Sequence, residues 1–256
     1  MATSTVSPSG AGSVSTRNAY GRQGSTTFLG GRRARIQRSR WEGVAGYTLG
    51  LFGKNHSHLT ANKFDTWRLY DHTAGPPRPG HESEDAAFDR WMINLGHWVS
   101  SGPTPFPLDC QYPVRIVSDA LAWLEQLPAD RPVFMLVSFP EPHSPYQVPE
   151  PYYGLFPPDK VPPPRVGKDA LRRRNFQWIH QYETIRHFHP QLDAQVLEYR
   201  SRYCGMLRLL DDQIRRLVEY LERSRRFENT LFLFVSDHGE FCGDYGLYRK
   251  GLALPE

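Results

Sequence analysis

Nowhere in these 256 residues is there an apolar stretch approaching the eighteen or so residues that a membrane-crossing helix needs, so no membrane span is expected. The first residues lack the apolar core of a secretory leader. No export address is visible, and the expectation for the chain as given is the cytoplasm. Cysteine is scarce. Cys110, Cys204 and Cys242 are odd in number and share no CxxC or metal-knuckle spacing, which argues against a disulfide framework and for small buried thiols. Acid is absent from residues 1–40, which hold seven arginines and no lysine. Setting those arginines aside leaves 24 basic against 27 acidic residues, so the formal charge of +4 belongs to the arm and the body is mildly acidic. The arm has no interleaved aromatics and no recognisable module, so nucleic acid is not an expected partner.

The arm is also poor in apolar periodicity, being mostly Ser, Thr, Gly, Ala and Arg. Such a composition cannot bury enough surface to offset ordering entropy, and residues 1–40 are expected to be a disordered basic segment. Residues 41–256 form the expected folded domain. Tyr47–Phe52 reads as a strand, with Gly53 allowing a sharp turn after it. Residues 57–112 and 140–170 read as long irregular loops of the kind that rim active sites. An amphipathic helix is expected over Pro113–Leu127, with Val114, Val117, Leu121 and Leu124 on one face. A second, longer helix is expected over Leu192–Arg223, with a stripe from Val196 through Tyr199, Met206 and Leu210 to Leu221. Val133–Phe139 and Leu231–Val235 are continuous apolar runs, as expected for strands covered on both faces. Alternating strands and helices argue for an α/β fold with a mostly parallel sheet.

In open α/β sheets, polar groups just past the carboxyl ends of buried strands face the ligand crevice. Three such ends carry unusual chemistry. The first is Gly53-Lys54-Asn55-His56, and the second is Pro140-Glu141-Pro142-His143-Ser144-Pro145-Tyr146. The third is Ser236-Asp237-His238-Gly239-Glu240, followed by Arg249-Lys250-Gly251. Taken singly, a strand-end lysine is an ordinary solvated charge, and Asp-His-Gly is an ordinary turn. Asp211 and Asp212 fall off the apolar stripe and read as solvated or capping groups, and His58, His72, His81, His97, His180, His187 and His189 are singled out by nothing.

Together, the blocks GYTLGLFGKNH, FPEPHSPY and FVSDHGEFCGDYGLYRKG resemble consecutive blocks of the sulfatase family in the alkaline phosphatase superfamily. The resemblance runs from about Gly46 to the last residue, and its last block is the most specific. It implies an alkaline phosphatase-like α/β fold, mostly parallel sheet sandwiched by helices and here incomplete, that hydrolyses sulfate esters of small molecules or sugars. By the same resemblance Lys54 and Lys250 bind the sulfate oxygens, where negative charge spreads during transfer. His143 donates to the sulfate or its leaving oxygen, and His56 orients or deprotonates the nucleophile. Asp237 and His238 would hold one divalent metal. Calcium is the family default, but it prefers oxygen donors, and manganese or zinc suits a histidine equally well.

The family nucleophile, a Cys or Ser in C/S-x-P-x-R, is not found, and neither is the first strand with its pair of metal-binding Asp. A frameshift or misassigned start before codon 41 would account for both, and little or no sulfatase activity is then expected from the chain as given. Two other readings stay open: a phosphonate or phosphate ester hydrolase of the same superfamily, and a non-catalytic protein that binds sulfated ligands. Oligomeric state is left open by the sequence.

Overall fold

The computed structural model describes residues 46–251, together with a two-residue antiparallel ladder of β1 (Thr16–Arg17) and β2 (Gln23–Gly24). The expected disorder of residues 1–40 and the last five residues therefore lie outside the described residues, apart from that ladder. The chain divides into two units, Met1–Tyr47 and Thr48–Glu256, and the sheet, helices and site residues all belong to the second.

Its centre is β3 (Thr48–Gly53), six residues that are all buried. β4 (Thr66–Leu69) and β5 (Val133–Ser138) flank it, giving the order β4-β3-β5 with both pairs parallel. Gly53 stands opposite Leu69 on one side and Ser138 on the other, so all three strands end level. Chain leaving one strand is thereby delivered beside chain leaving its neighbours.

Between β3 and β5 run α1 (Glu82–Leu95) and α2 (Tyr112–Glu125). Helix α2 lies against the sheet, with the Trp123 ring 5.3 Å from that of Phe52. A side chain at Gly50 would come within 2.7 Å of the same tryptophan, so this glycine lets helix and strand approach closely. Phe88, Met92, Tyr112, Ile116, Val117, Ala120 and Leu124 complete this core with Leu217 and Leu221. The last two come from α5 (Val196–Arg223), which follows α3 (Tyr152–Leu155) and α4 (Phe176–Phe188). Farther up α5, Tyr199, Met206 and Leu209 pack with Tyr146, Val148 and Tyr152 in a second cluster. The expected stripe is the buried face at Tyr199, Met206, Leu210, Leu217 and Leu221. All three cysteines are free thiols; Cys110 is buried, and Cys204 and Cys242 are partly so.

Four expectations need correction. Residues 57–112 are not one irregular excursion, because they contain β4 and α1. The eye is misled by their polar residues, but Phe88 and Met92 one turn apart are enough to seat α1 on the core. The long helix starts at Val196, since Pro190–Gln195 is a 3₁₀ turn. β5 is not covered on both sides: Phe134 is 45% exposed, and among the described residues no strand pairs with its outer edge. Finally, Leu231–Val235 forms no strand among the described elements. Leu231 and Val235 are each 84% exposed. An apolar run becomes a strand only where a neighbouring strand takes up its backbone N–H and C=O groups, and here none does.

Five exposed apolar residues in a row are a template for association. Replacing both Leu233 and Val235 by Lys is expected to raise the soluble, monomeric fraction severalfold without moving the thermal midpoint. Size-exclusion chromatography and a melting curve check both halves.

Candidate anion-binding site at the strand ends

The turn after β3 is fixed by the backbone. Gly53 has φ of +115°, the last ladder bond runs from Tyr70 N–H to Gly53 O (3.0 Å), and Lys54 N–H donates to Ser138 O (2.9 Å). Beyond it Asn55 organises the loop, accepting from Ser57 N–H (3.1 Å) and donating to Leu59 O (2.9 Å). Lys54 is pinned at the sheet's carboxyl end, and His56 follows two residues later on an exposed arm.

The second block is clamped from the side. Tyr146 N–H donates to Trp98 O (2.8 Å), and Ser100 N–H donates to Tyr146 O (3.0 Å). Glu141, Ser144, Tyr146 and Gln147 are buried. His143 emerges half-buried, its Nδ1 2.8 Å from Ser144 O. A carbonyl only accepts, so Nδ1 carries the proton and Nε2 keeps its lone pair. Burial, then the nearby Lys54, Lys250 and His97, push the His143 pKa down, against the upward pull of the Ser144 carbonyl.

The third block is held by its own buried residues. Glu240 accepts from Tyr199 Oη–H at 2.6 Å and from Tyr146 Oη–H at 3.5 Å. Phe241, Tyr245 and Leu247 pack on Trp178, and Asp244 accepts Arg165 N–H at 2.6 Å. Cys242, Tyr245 and Arg249 take positive φ in this loop, a cost that such anchoring holds in place. Lys250 lies at its far end. Asp237 is exposed, with its Oδ2 3.6 Å from His238 Nε2. His238 Nδ1 donates to Gly239 O at 2.8 Å, which leaves Nε2 to accept or ligate.

The electrostatics tie these blocks together. Burial lowers the Lys54 pKa most, Lys250 lowers it further, and Asp237 and Asp71 pull the other way. Lys54 therefore lies within the fields of Lys250, Asp237 and Asp71, and His143 within those of Lys54 and Lys250. Sequence reasoning passed over the histidines that fill the space between. The His72 ring lies 3.8 Å from that of His143 and 5.7 Å from that of His56, and His97 is 5.9 Å from His143. Burial, and then His143 and Lys54, lower His72 to about 4. A signal for it was present: Asp71-His72 follow the end of β4 just as Lys54 follows the end of β3.

For a metal, Asp237 and His238 offer one carboxylate and one ring nitrogen. Among the described residues no third His, Cys, Asp or Glu closes a three-ligand group with them. That falls short of the six to eight oxygens calcium takes.

The fold defines the class of protein first. It is an α/β fold with a parallel sheet flanked by helices, and it matches the phosphonate monoester hydrolase SpPMH from Silicibacter pomeroyi. That match has a TM-score of 0.64 at 20% identity and covers 82% of this chain and 48% of that one. The Sulfatase family model matches residues 40–255, and the chain belongs to the sulfatase family. It is 28% identical over 161 residues to an arylsulfatase of Clostridium perfringens, covering 62% of this chain and 33% of that protein. To the multifunctional alkaline phosphatase superfamily protein PehA of Trinickia caryophylli it is 27% identical over 186 residues, covering 67% and 36%. The chain thus spans about a third of the length of these relatives. Among its described residues no helix is long and apolar enough to cross a membrane.

Proposed function

We propose that this chain carries the anion-binding side of a sulfuric ester hydrolase site, with Lys54 and Lys250 gripping the sulfate. The observation that carries this reading is the partly buried Lys54, pinned at the end of β3 and lying, like the half-buried His143, within the field of Lys250. Like charges are brought together against their own repulsion where an anion is to be received. The ammonium groups and the His143 ring would oppose the charge that develops on the sulfate oxygens. His143, whose Nδ1–H is engaged by Ser144 O, would need to protonate at Nε2 before donating to the leaving oxygen. His56 is the proton acceptor nearest Lys54 in the chain. Asp237 and His238 would contribute two ligands to a divalent ion, whose chemistry would be polarisation of the ester oxygen. With one carboxylate and one imidazole, the pair suits manganese or zinc better than calcium. The substrate would be a sulfated small molecule or sugar, as with the sulfatase relatives.

With no C/S-x-P-x-R nucleophile in the sequence, the chain by itself should bind a sulfate ester without turning it over. The test is equilibrium binding of an aryl sulfate at low salt, with hydrolysis followed in parallel. Lys54→Ala or Lys250→Ala should each weaken binding at least about tenfold, the scale of a lost charge-assisted hydrogen bond. Because Lys54 titrates below an ordinary lysine, binding should fail on the alkaline side before bulk lysine titrates. Binding that survives both substitutions, or that ignores salt, would sink the assignment, and hydrolysis well above blank would sink the expectation of inactivity.

A second reading keeps the site and changes the ester to a phosphonate or phosphate. It is favoured by the fold match with a phosphonate monoester hydrolase. A side-by-side titration with an aryl sulfate and a phosphonate monoester separates the two by which binds more tightly.

A further inference from the structure

The strand ends hold one cluster of which the anion site uses only His56. His56 leaves β3, and Asp71 and His72 leave β4, and these strands are parallel neighbours that end in register. One ligand atom from each of the three residues lies within 4.8 Å of the others. We propose that His56, Asp71 and His72 bind a divalent transition metal of the zinc type, at a site separate from Asp237 and His238.

Two imidazoles and a carboxylate are a donor set that zinc accepts, and with three protein ligands a fourth position stays open. Three ligands about 2.0–2.1 Å from a tetrahedral ion stand about 3.4 Å apart. Closing the cluster around an ion therefore asks for movements below about 1 Å. The parts most in need of support are already held. The His72 ring rests against that of His143, and His72 N–H donates to Asp71 Oδ1 at 2.7 Å. Asp71 N–H donates to Ala74 O at 2.7 Å, which fixes the turn. His56 is exposed and free to swing inward.

An independent observation points to a ligand. Nδ1 of His72 is buried and has no hydrogen-bond partner. Leaving a buried polar atom unsatisfied is costly, and natural proteins keep few of them. The opposing feature is Lys54, which faces Asp71 from the adjoining strand end and shares its field with Lys250 and Asp237. A dication on Asp71 must compete with that ammonium, so affinity in the micromolar rather than the nanomolar range is expected. Seating the ion also commits the His56 lone pair, so the ion and a proton compete for this ring.

The whole chain is titrated with zinc against a chromophoric zinc indicator, with thermal midpoints recorded with and without metal. One saturable site per chain and a raised midpoint are expected. Asp71→Asn keeps an acceptor for His72 N–H and should leave the metal-free midpoint unchanged while weakening zinc at least tenfold. His72→Gln should do the same. Asp237→Asn combined with His238→Ala should leave zinc affinity within twofold of the parent. Absence of saturable binding, or binding that persists in Asp71→Asn and His72→Gln, overturns the site. So does binding that disappears with Asp237 and His238, which would place the ion on that pair. None of these outcomes depends on whether Lys54 and Lys250 hold a sulfate.

Discussion

Gly53→Ala is expected to lower the stability of the folded unit by about 3 kcal/mol, seen as a fall in the urea midpoint with an unchanged slope. Two costs combine at this position. Its φ of +115° is one that side-chain-bearing residues rarely adopt. A Cβ there would also stand 1.8 Å from Ser138 O, which is the acceptor for Lys54 N–H. A flexible side chain could move aside, but a backbone oxygen on the neighbouring strand cannot, because moving it breaks the ladder. Gly80 provides the comparison. It too has positive φ (+78°), yet nothing lies within 4 Å of its added Cβ. Gly80→Ala should therefore show backbone strain alone, about 1 kcal/mol. Equal losses at the two positions would mean that the close approach of β3 and β5 is not what Gly53 serves. Since Lys54 follows directly, the same substitution should also weaken anion binding in whatever fraction stays folded.

The second large effect concerns a carboxyl group with nowhere to put its charge. Glu141 is buried within the loop that carries His143, its Oε2 has no hydrogen-bond partner, and burial pushes it up to about 8. The folded state thus holds this proton more tightly than the unfolded chain, whose glutamate titrates near 4.5. The resulting stability is fully present below that value and is lost as pH rises from there through about 8. Near neutral pH the group is expected to be protonated when folded. Glu141→Gln should flatten this dependence and make the variant more stable than the parent at pH 8, by an amount on the order of 2 kcal/mol. The histidines of the site act in the opposite sense. His72, His97 and His143 are lowered by burial first, so they oppose acid by staying neutral when folded. Comparing parent and Glu141→Gln at each pH removes their contribution. A parent–variant difference that does not change between pH 5 and pH 8 would show that Glu141 is not kept neutral.

Much of the frame could be read along the chain because it rests on local patterns. Residues 47–52 announce a short strand by Leu49, Leu51 and Phe52 ahead of a turn glycine, and 196–221 announce a helix by their three- and four-residue steps. The resemblance of three strand-end blocks to sulfatases also needed no coordinates, since it is a matter of residue types in order. The apolar run 231–235 has the same local pattern as a buried strand and yet is exposed. Whether such a run is a strand depends on a partner elsewhere, and that is not a local property. β4 and α1 went unread for the converse reason, their few apolar residues being made sufficient by neighbours distant in sequence.

The sequence alone determined which chemistry is available: two lysines, several histidines and a few carboxylates placed just after apolar runs, in the order of one family. Only the tertiary structure decided which of these groups meet. The fold brings Lys54, at the end of the central strand, within the field of Lys250, almost two hundred residues away. The parallel registry of β3 and β4 sets Asp71 and His72 beside His56, a pairing invisible along the chain because the separation of charges in space follows strand order, which side-chain identity does not encode.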